Sequence, residues 1–281
     1  MDVRADPHLG TLVHVVGTRQ ARPNLPSTGC PFCPGGLEAP EPYDVRWFPN
    51  RWPAMAGERC EVVLYTDQHD ATFASLGPAG ARRVIDLWAD RTAALGSRDD
   101  VAFVLVFENR GPEVGATIAH PHGQIYAYDH VPERQRRLAE APWAPDPAPG
   151  ERLVAEQLGW RAVVPYASTY PIAIDIAPTT RIPDLPTATA DERDGLAAML
   201  VDVFGRLDRL YDRPLPYMMW IAQRPTDGGD WPNAWLHFEI VSPWRSAGVA
   251  RFIAAAEVAC GEYFNPLPPE ELAADLRRSG R

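Results

Sequence analysis

The sequence contains no lysine, so all 27 of its basic side chains are arginine. Lysine Schiff-base chemistry and the phosphate-binding loop that ends in Gly-Lys-Ser/Thr are therefore excluded. Any phosphate group has to be bound by arginine, histidine, backbone amides or a metal ion. A block of basic residues is also absent and the net charge is −10, so we expect no nucleic-acid partner.

Long apolar runs are absent as well. No run approaches the roughly 18 residues that a membrane helix needs, so we expect no membrane partner. The charged N-terminus, from Met1 to Asp6, has no apolar stretch behind it and predicts no signal peptide. The sequence therefore indicates a cytoplasmic protein.

Cysteine is scarce, and of the four cysteines only Cys30 and Cys33 are close in sequence. A single Cys-x-x-Cys in a cytoplasmic protein indicates half of a metal site or a redox pair, not a disulfide framework. Cys60 and Cys260 stand among apolar residues, and we expect both to be buried.

The hydrophobic pattern predicts an α+β fold, with antiparallel sheets and helices packed on them. In the first half, strands are predicted at 11–17, 44–50, 61–66, 101–108 and 124–128, and a helix at 78–95. In the second half, strands are predicted at 153–158, 161–166, 172–176, 217–223 and 235–241, and helices at 190–211, 247–262 and 269–278. A linker rich in proline and alanine, residues 143–150, separates the two sets.

The order of elements in the first half recurs in the second. Residues 120–124 (His-Pro-His-Gly-Gln) fall where the second half has residues 235–239 (Trp-Leu-His-Phe-Glu). We therefore predict two tandem units, residues 1–145 and residues 151–281. The alternative is a single α+β domain whose strands merely look alike.

The most informative segment runs from an apolar strand through a loop with two glycines to His120, His122 and Gln124. In an extended chain these three side chains share one face, in steps of about 6.6 Å. A neutral imidazole is a good nucleophile toward phosphorus if a neighbour fixes its tautomer, and Gln124 could then hydrogen-bond the phosphoryl oxygens. The alternatives are a polar patch on an edge strand and a metal site alone.

The pair Cys30 and Cys33, between prolines and glycines, is typical of a zinc knuckle. A tetrahedral ion needs two more ligands, and without a second Cys-x-x-Cys these must be histidines. His69 and His120 are the candidates. Four protein ligands would make the zinc structural, whereas the alternative is a redox dithiol.

With these residues in view, residues 107–128 resemble the active-site signature of the galactose-1-phosphate uridylyltransferase family, a branch of the histidine-triad superfamily. The resemblance extends over nearly the whole chain. Arg19 and Arg22 resemble the family's N-terminal arginine pair, and residues 48–50 its nucleotide-binding asparagine segment. Residues 236–257 resemble its sugar-binding tail.

The resemblance implies two tandem histidine-triad-like units, the first with the zinc knuckle and the catalytic His-Pro-His and the second with the tail. It implies a ping-pong reaction in which His122 takes the uridylyl group from UDP-glucose and passes it to galactose 1-phosphate, with Gln124 on the phosphoryl group. One structural Zn²⁺ per chain would be held by Cys30, Cys33, His69 and His120. The substrate-binding residues would be Arg19, Arg22, Asn50, Asn109, Thr117, Arg251, Phe252 and Glu257. A homodimer with shared active sites is also implied.

Two positions depart from the family pattern. Trp235 stands where many relatives have a histidine of a second, iron-type site, which indicates that this site is lost. Arg51 stands in place of an acidic residue after the asparagine.

Other functions remain as hypotheses. A related transferase or phosphorylase could use another nucleotide or sugar phosphate. A histidine-triad hydrolase would discharge the same intermediate to water, but such enzymes usually have a third histidine where this chain has Gln124. A zinc-stabilised binding protein with a decayed nucleotide site is the non-catalytic alternative.

Overall fold

The computed structural model describes residues 2–17 and 29–280. An N-terminal two-stranded sheet is formed by β1 (Asp2–Ala5) and β2 (Leu12–Val15). The first half of the chain then supplies four strands of a large sheet: β3 (Arg46–Pro49), β4 (Cys60–Leu64), β5 (Phe103–Arg110) and β6 (His122–Tyr128). The second half supplies five: β7 (Leu153–Gln157), β8 (Trp160–Val163), β9 (Ile172–Pro178), β10 (Tyr217–Ala222) and β11 (His237–Ser242).

These nine strands form one antiparallel sheet in the order β3-β4-β6-β5-β10-β11-β9-β8-β7. Strands β5 and β10 pair in its middle, from Tyr217 opposite Arg110 to Trp220 opposite Phe107. The two halves are therefore joined by backbone hydrogen bonds. The predicted α+β fold is confirmed, whereas the division into units 1–145 and 151–281 stays a prediction.

Two long helices, α1 (Gly77–Gly96) and α3 (Ala190–Arg209), pack together and cover one face of the sheet. In α1 the residues Val84, Trp88 and Leu95 recur at helical spacing and are buried. Helix α3 begins at a capping box, in which the Thr189 hydroxyl accepts from the Glu192 amide and the Glu192 carboxylate accepts from the Thr189 amide. Both predicted helices are confirmed.

The predicted helix at 247–262 is wrong. The chain there forms a hairpin of β12 (Trp244–Ser246) and β13 (Val249–Ala250), followed by a short helix α4 (Ala255–Cys260). Gly248 has φ of +69°, a left-handed conformation that suits a tight turn and interrupts a helix. Cys260 is exposed, against our expectation, because this segment lies outside the core, whereas Cys60 is buried as expected. Helix α5 (Pro269–Ser279) ends the described chain and confirms its prediction.

Helix α2 (Glu133–Glu140) was absent from the sequence predictions. It has almost no apolar residues, so it shows no hydrophobic period. Its turns are linked instead by ion pairs from Arg136 to Glu133 and Glu140 and from Arg137 to Glu133. In the described part of the chain, no helix is both long enough and apolar enough to span a membrane.

A second, smaller core lies around β4, where Phe32 and Ala39 pack with Val62 and Leu64. Every residue of β4 is consequently buried. The segment that contains the two neighbouring cysteines is thereby fixed against the sheet beside β6, the strand with the sequence-predicted histidine.

Candidate active site and metal centre

Strand β6 begins at His122 and presents alternate residues to opposite sides. Gly123 and Ile125 are buried, while His122 and Gln124 are partly exposed on the other face. The predicted common face of His122 and Gln124 agrees with this pattern. His120 differs, because it precedes the strand and is fully buried.

The imidazole of His122 is oriented by the backbone carbonyl group of His120. Its Nδ1 lies 2.7 Å from the carbonyl oxygen of His120, so Nδ1 donates a proton there and Nε2 is left as the basic nitrogen. The ring also packs beside Phe32, with centroids 5.1 Å apart. A fixed tautomer with a basic Nε2 is what nucleophilic attack on phosphorus requires.

Gln124 is oriented by Asn50, which follows strand β3. The Asn50 amide nitrogen donates to Gln124 Oε1 over 3.2 Å, and Asn50 Oδ1 accepts from the Trp52 amide over 2.9 Å. Because the Gln124 oxygen is engaged as an acceptor, its amide nitrogen is the group that can donate to an anionic ligand. The structure thus brings together Asn50 and Gln124, which the sequence assigned to separate motifs.

A pocket opens beside His122. Its wall includes residues 108–111, at the end of β5, and residues 118–122, which lead into β6. Thr117 immediately precedes this wall at Ile118. His122, Asn109 and Thr117, all predicted around the transferred phosphate, therefore lie in or next to the wall of this pocket.

Four side chains next to this pocket form a cluster that could hold a metal ion, namely Cys30, Cys33, His69 and His120. Their ligand atoms all lie within 4.8 Å of one another. Cys33 Sγ is 3.5 Å from Nδ1 of His69 and 3.6 Å from Nδ1 of His120. Tetrahedral coordination with bonds of about 2.2 Å separates ligand atoms by about 3.6 Å. The cluster therefore fits a tetrahedral ion with two sulfur and two nitrogen ligands.

The protonation of the cluster also suits a metal ion. His120 Nε2 donates to the Thr66 carbonyl oxygen over 2.7 Å, which leaves Nδ1 as the lone-pair nitrogen toward Cys33. Burial lowers the pKa of His120, so the ring is neutral, as a ligand must be. Burial and the adjacent Cys30 raise the pKa of Cys33, because two thiolates repel each other unless a cation lies between them.

The predicted tail residues lie elsewhere. Arg251 forms an ion pair with Glu257, and both line a separate pocket with Phe252, Arg245 and Gly248. None of them lines the pocket beside His122. Arg19 and Arg22 lie outside the residues that the structure describes.

Two aromatic residues at the site were missed by sequence reasoning. Phe32, between the cysteines, contacts both His120 and His122. Tyr43 donates to the Phe32 carbonyl oxygen over 2.6 Å, and its hydroxyl lies 2.9 Å from His120 Nε2. The position of Phe32 within the Cys-x-x-Cys motif could have indicated its role, whereas no sequence signal marks Tyr43.

The second half repeats this arrangement with different chemistry. His237 begins β11, and its Nδ1 lies 2.8 Å from the Trp235 carbonyl oxygen, as His122 does with His120. Here, however, the ring is buried under Trp143, with centroids 4.7 Å apart. Glu239, the counterpart of Gln124, forms a bidentate ion pair with Arg134. This face of the second half is closed by aromatic packing and an ion pair.

This fold is that of the histidine-triad type of nucleotidyltransferase. Residues 51–132 match the model of the galactose-1-phosphate uridyl transferase N-terminal domain, and residues 118–278 match the model of its C-terminal domain. The second match covers more than half of the chain. The chain belongs to the galactose-1-phosphate uridylyltransferase family.

Individual relatives agree with this assignment. The chain is 32% identical to a galactose-1-phosphate uridylyltransferase of Thermotoga maritima, over 99% of this chain and 98% of the relative. It is 37% identical to one of Streptomyces lividans, over 80% of this chain and 70% of the relative. A solved uridylyltransferase structure superposes with a TM-score of 0.86 at 28% identity, covering 100% of this chain and 98% of the other.

Proposed function

We propose that the protein moves UMP between a UDP-hexose and a hexose 1-phosphate through a covalent intermediate on His122. As a member of its family, the chain is an enzyme that transfers uridylyl groups. The reaction proposed is UDP-glucose plus galactose 1-phosphate giving UDP-galactose plus glucose 1-phosphate. The observation that carries the proposal is the hydrogen bond from His122 Nδ1 to the His120 carbonyl oxygen, which makes Nε2 the nucleophile.

In the first step, the Nε2 lone pair forms a bond to the α-phosphorus. The bond from that phosphorus to the bridging oxygen breaks, and the oxygen leaves with its electron pair as part of glucose 1-phosphate. The proton stays on Nδ1, which continues to donate it in the hydrogen bond to the His120 carbonyl oxygen. The Gln124 amide nitrogen donates to the phosphoryl oxygens as charge develops there. In the second step, a phosphate oxygen of galactose 1-phosphate attacks the same phosphorus and the nitrogen–phosphorus bond breaks.

The metal ion assigned to Cys30, Cys33, His69 and His120 is zinc. Two thiolates and two imidazoles around a tetrahedral centre are typical of structural zinc sites, in which no position is left for substrate. Bound there, the ion would fix His120, whose carbonyl oxygen accepts a hydrogen bond from His122 Nδ1. Its role would therefore be to keep the nucleophile in place.

The remaining substrate contacts follow the family resemblance. Asn50 and the two N-terminal arginines, Arg19 and Arg22, bind the nucleotide, and Asn109 and Thr117 lie near the phosphates or the sugar. The tail residues Arg251, Phe252 and Glu257 do not line the pocket of their own chain beside His122. This separation supports a homodimer in which the tail of each subunit completes the site of the other; we propose that this dimer is cytoplasmic. The division into units 1–145 and 151–281 belongs to the same proposal.

The test is transfer of label from UDP-glucose radiolabelled in its uridylyl group to the purified protein. We expect wild type to acquire acid-labile, alkali-stable label, as a phosphoramidate requires, and His122→Asn to acquire none while it retains one zinc per chain. His237→Asn is the matched control, because His237 has the same backbone hydrogen bond but a closed environment. If His237→Asn unfolds at too low a temperature to be assayed, His130→Asn, at a partly exposed position, replaces it as the control. Normal turnover by His122→Asn would refute the covalent mechanism.

The fate of the label separates transfer from hydrolysis. We expect galactose 1-phosphate to discharge the labelled protein rapidly, and water alone to discharge it slowly, because Gln124 provides amide donors and no general base. Equal rates with and without the acceptor would make the protein a hydrolase. A panel of UDP-, ADP- and GDP-sugars in the same assay identifies the nucleotide.

A further inference from the structure

A buried polar cluster lies behind the catalytic strand, on the helix side of the sheet. Its members are Tyr65, Trp88, Glu108 and Tyr217. The Tyr217 hydroxyl donates to Glu108 Oε1 over 2.7 Å. Within the described chain, the Tyr65 hydroxyl, Trp88 Nε1 and Glu108 Oε2 are buried without a hydrogen bond of good geometry, although the hydroxyl is close enough to Glu108 and Trp88 to interact with both. Polar atoms of this kind cost about 1–3 kcal/mol each, so their presence calls for a reason.

Tyr65 touches both neighbours of His122 in the sequence. Its backbone amide donates to the Pro121 carbonyl oxygen over 3.3 Å. Its hydroxyl lies directly behind Gly123, where a Cβ atom would overlap with the phenol oxygen. The hydroxyl therefore occupies the space that a side chain at position 123 would take. His122 is held between these two contacts.

The Tyr65 ring has little freedom to move. It packs edge to face against Phe73 and Trp88, with centroids 5.6 Å away in both cases. Burial and then the nearby Glu108 carboxyl raise the pKa of Tyr65 well above its ordinary value, so the oxygen keeps its proton. A neutral hydroxyl on a fixed ring can act as a rigid support for the glycine in front of it.

We propose that Tyr65 is a positioning residue for His122, its hydroxyl supporting β6 at Gly123 so that Nε2 of His122 meets the α-phosphorus in line. The inference rests on the proposed function of His122. Attack on phosphorus depends steeply on geometry, and a displacement of about 1 Å is enough to slow such a reaction about 100-fold. The support is steric, so it predicts a specific pattern of single and double variants.

The test uses Tyr65→Phe, Gly123→Ala and the double variant. Tyr65→Phe removes the support, and Gly123→Ala pushes the strand against the hydroxyl. We expect each to slow single-turnover labelling of His122 about 10- to 100-fold, with KM for UDP-glucose changed little. In the double variant the severe overlap with the hydroxyl is gone, and the alanine methyl group meets only the Phe107 carbonyl oxygen at 3.0 Å and the ring carbon at 3.1 Å. We therefore expect labelling to recover by about tenfold over Gly123→Ala alone. The control is Tyr128→Phe, which also removes a phenol hydroxyl but lies at the far end of β6, outside this cluster.

Stability distinguishes positioning from a general structural role. Tyr65→Phe removes a buried hydroxyl that forms no hydrogen bond of good geometry, so we expect its unfolding midpoint to stay close to that of wild type. A slower rate together with undiminished stability supports the inference. Wild-type labelling rates in Tyr65→Phe, or a double variant no faster than the slower single variant, would overturn it. Failure of wild type to be labelled at all would instead overturn the proposed function.

Discussion

Asp175 is a mostly buried carboxyl group at the wall of a pocket, and its removal should stabilise the protein at alkaline pH. It lies on β9 directly opposite Glu239 on β11. Burial first, and then the charge of Glu239, raise the pKa of Asp175 from 3.8 to about 7, although His237 and Arg134 act in the opposite direction. Burial also opposes the charge on Glu239, but His237 and Arg134 lower the pKa of Glu239 to about 2, so Glu239 stays charged.

The sign follows from the raised pKa. The folded state holds the Asp175 proton more tightly than the unfolded state, so this group favours folding at low pH. The contribution is fully present below pH 4 and is lost as the pH rises through about 7. Each pKa unit corresponds to about 1.4 kcal/mol, so the difference between 3.8 and about 7 corresponds to about 4 kcal/mol.

The perturbation is Asp175→Asn, which keeps the shape and cannot ionise. We expect the free energy of unfolding of this variant, relative to wild type, to rise by up to about 4 kcal/mol between pH 4 and pH 9. Urea unfolding of both proteins across this range, with zinc in excess, measures the difference. The contributions of other titrating groups to the pH dependence are common to both proteins and cancel in this difference. The exposed Asp230→Asn is the control. A difference that does not vary with pH would refute the reasoning.

Two further predictions concern the metal cluster and the long helix. Cys33→Ser should release the zinc and lower the unfolding midpoint, as metal analysis and thermal unfolding would measure. Cys260→Ser, at an exposed thiol, should change neither quantity. A zinc-free protein of wild-type stability would contradict the assignment. Thr189→Ala should cost about 1 kcal/mol by removing the capping box of α3, as urea unfolding would measure, and no loss would show that packing alone holds this helix end.

The sequence was sufficient for the parts of the fold that depend on local pattern. The apolar spacing of α1 and α3 and the alternation along β6 predicted those elements, because burial of one face follows directly from residue period. The pairing of β5 with β10 could not be predicted, since it depends on contacts between distant segments. The helix predicted at 247–262 failed because its alanines outweighed Gly248, where the chain turns into a hairpin.

The candidate site divides in the same way. His122, Gln124 and the metal cluster were predictable, because few residue types can perform these tasks and the chain offers few histidines and cysteines. Phe32 and Tyr43 were not, since an aromatic ring in contact with a histidine leaves no pattern in the sequence. The support of Gly123 by Tyr65 could not be predicted either, because it joins β6 to a residue that follows β4, far away in the sequence.

His122 Nδ1 donates its hydrogen bond to a neutral carbonyl oxygen and not to a carboxylate. This difference has an energetic consequence. In the intermediate proposed above, the uridylylated ring is a cation, and a carboxylate beside it would stabilise that cation strongly. A peptide oxygen stabilises it less, so the nitrogen–phosphorus bond keeps a high tendency to break. An exchange between two sugar phosphates of similar free energy needs such a bond, since an intermediate that is too stable would halt the cycle after one half-reaction.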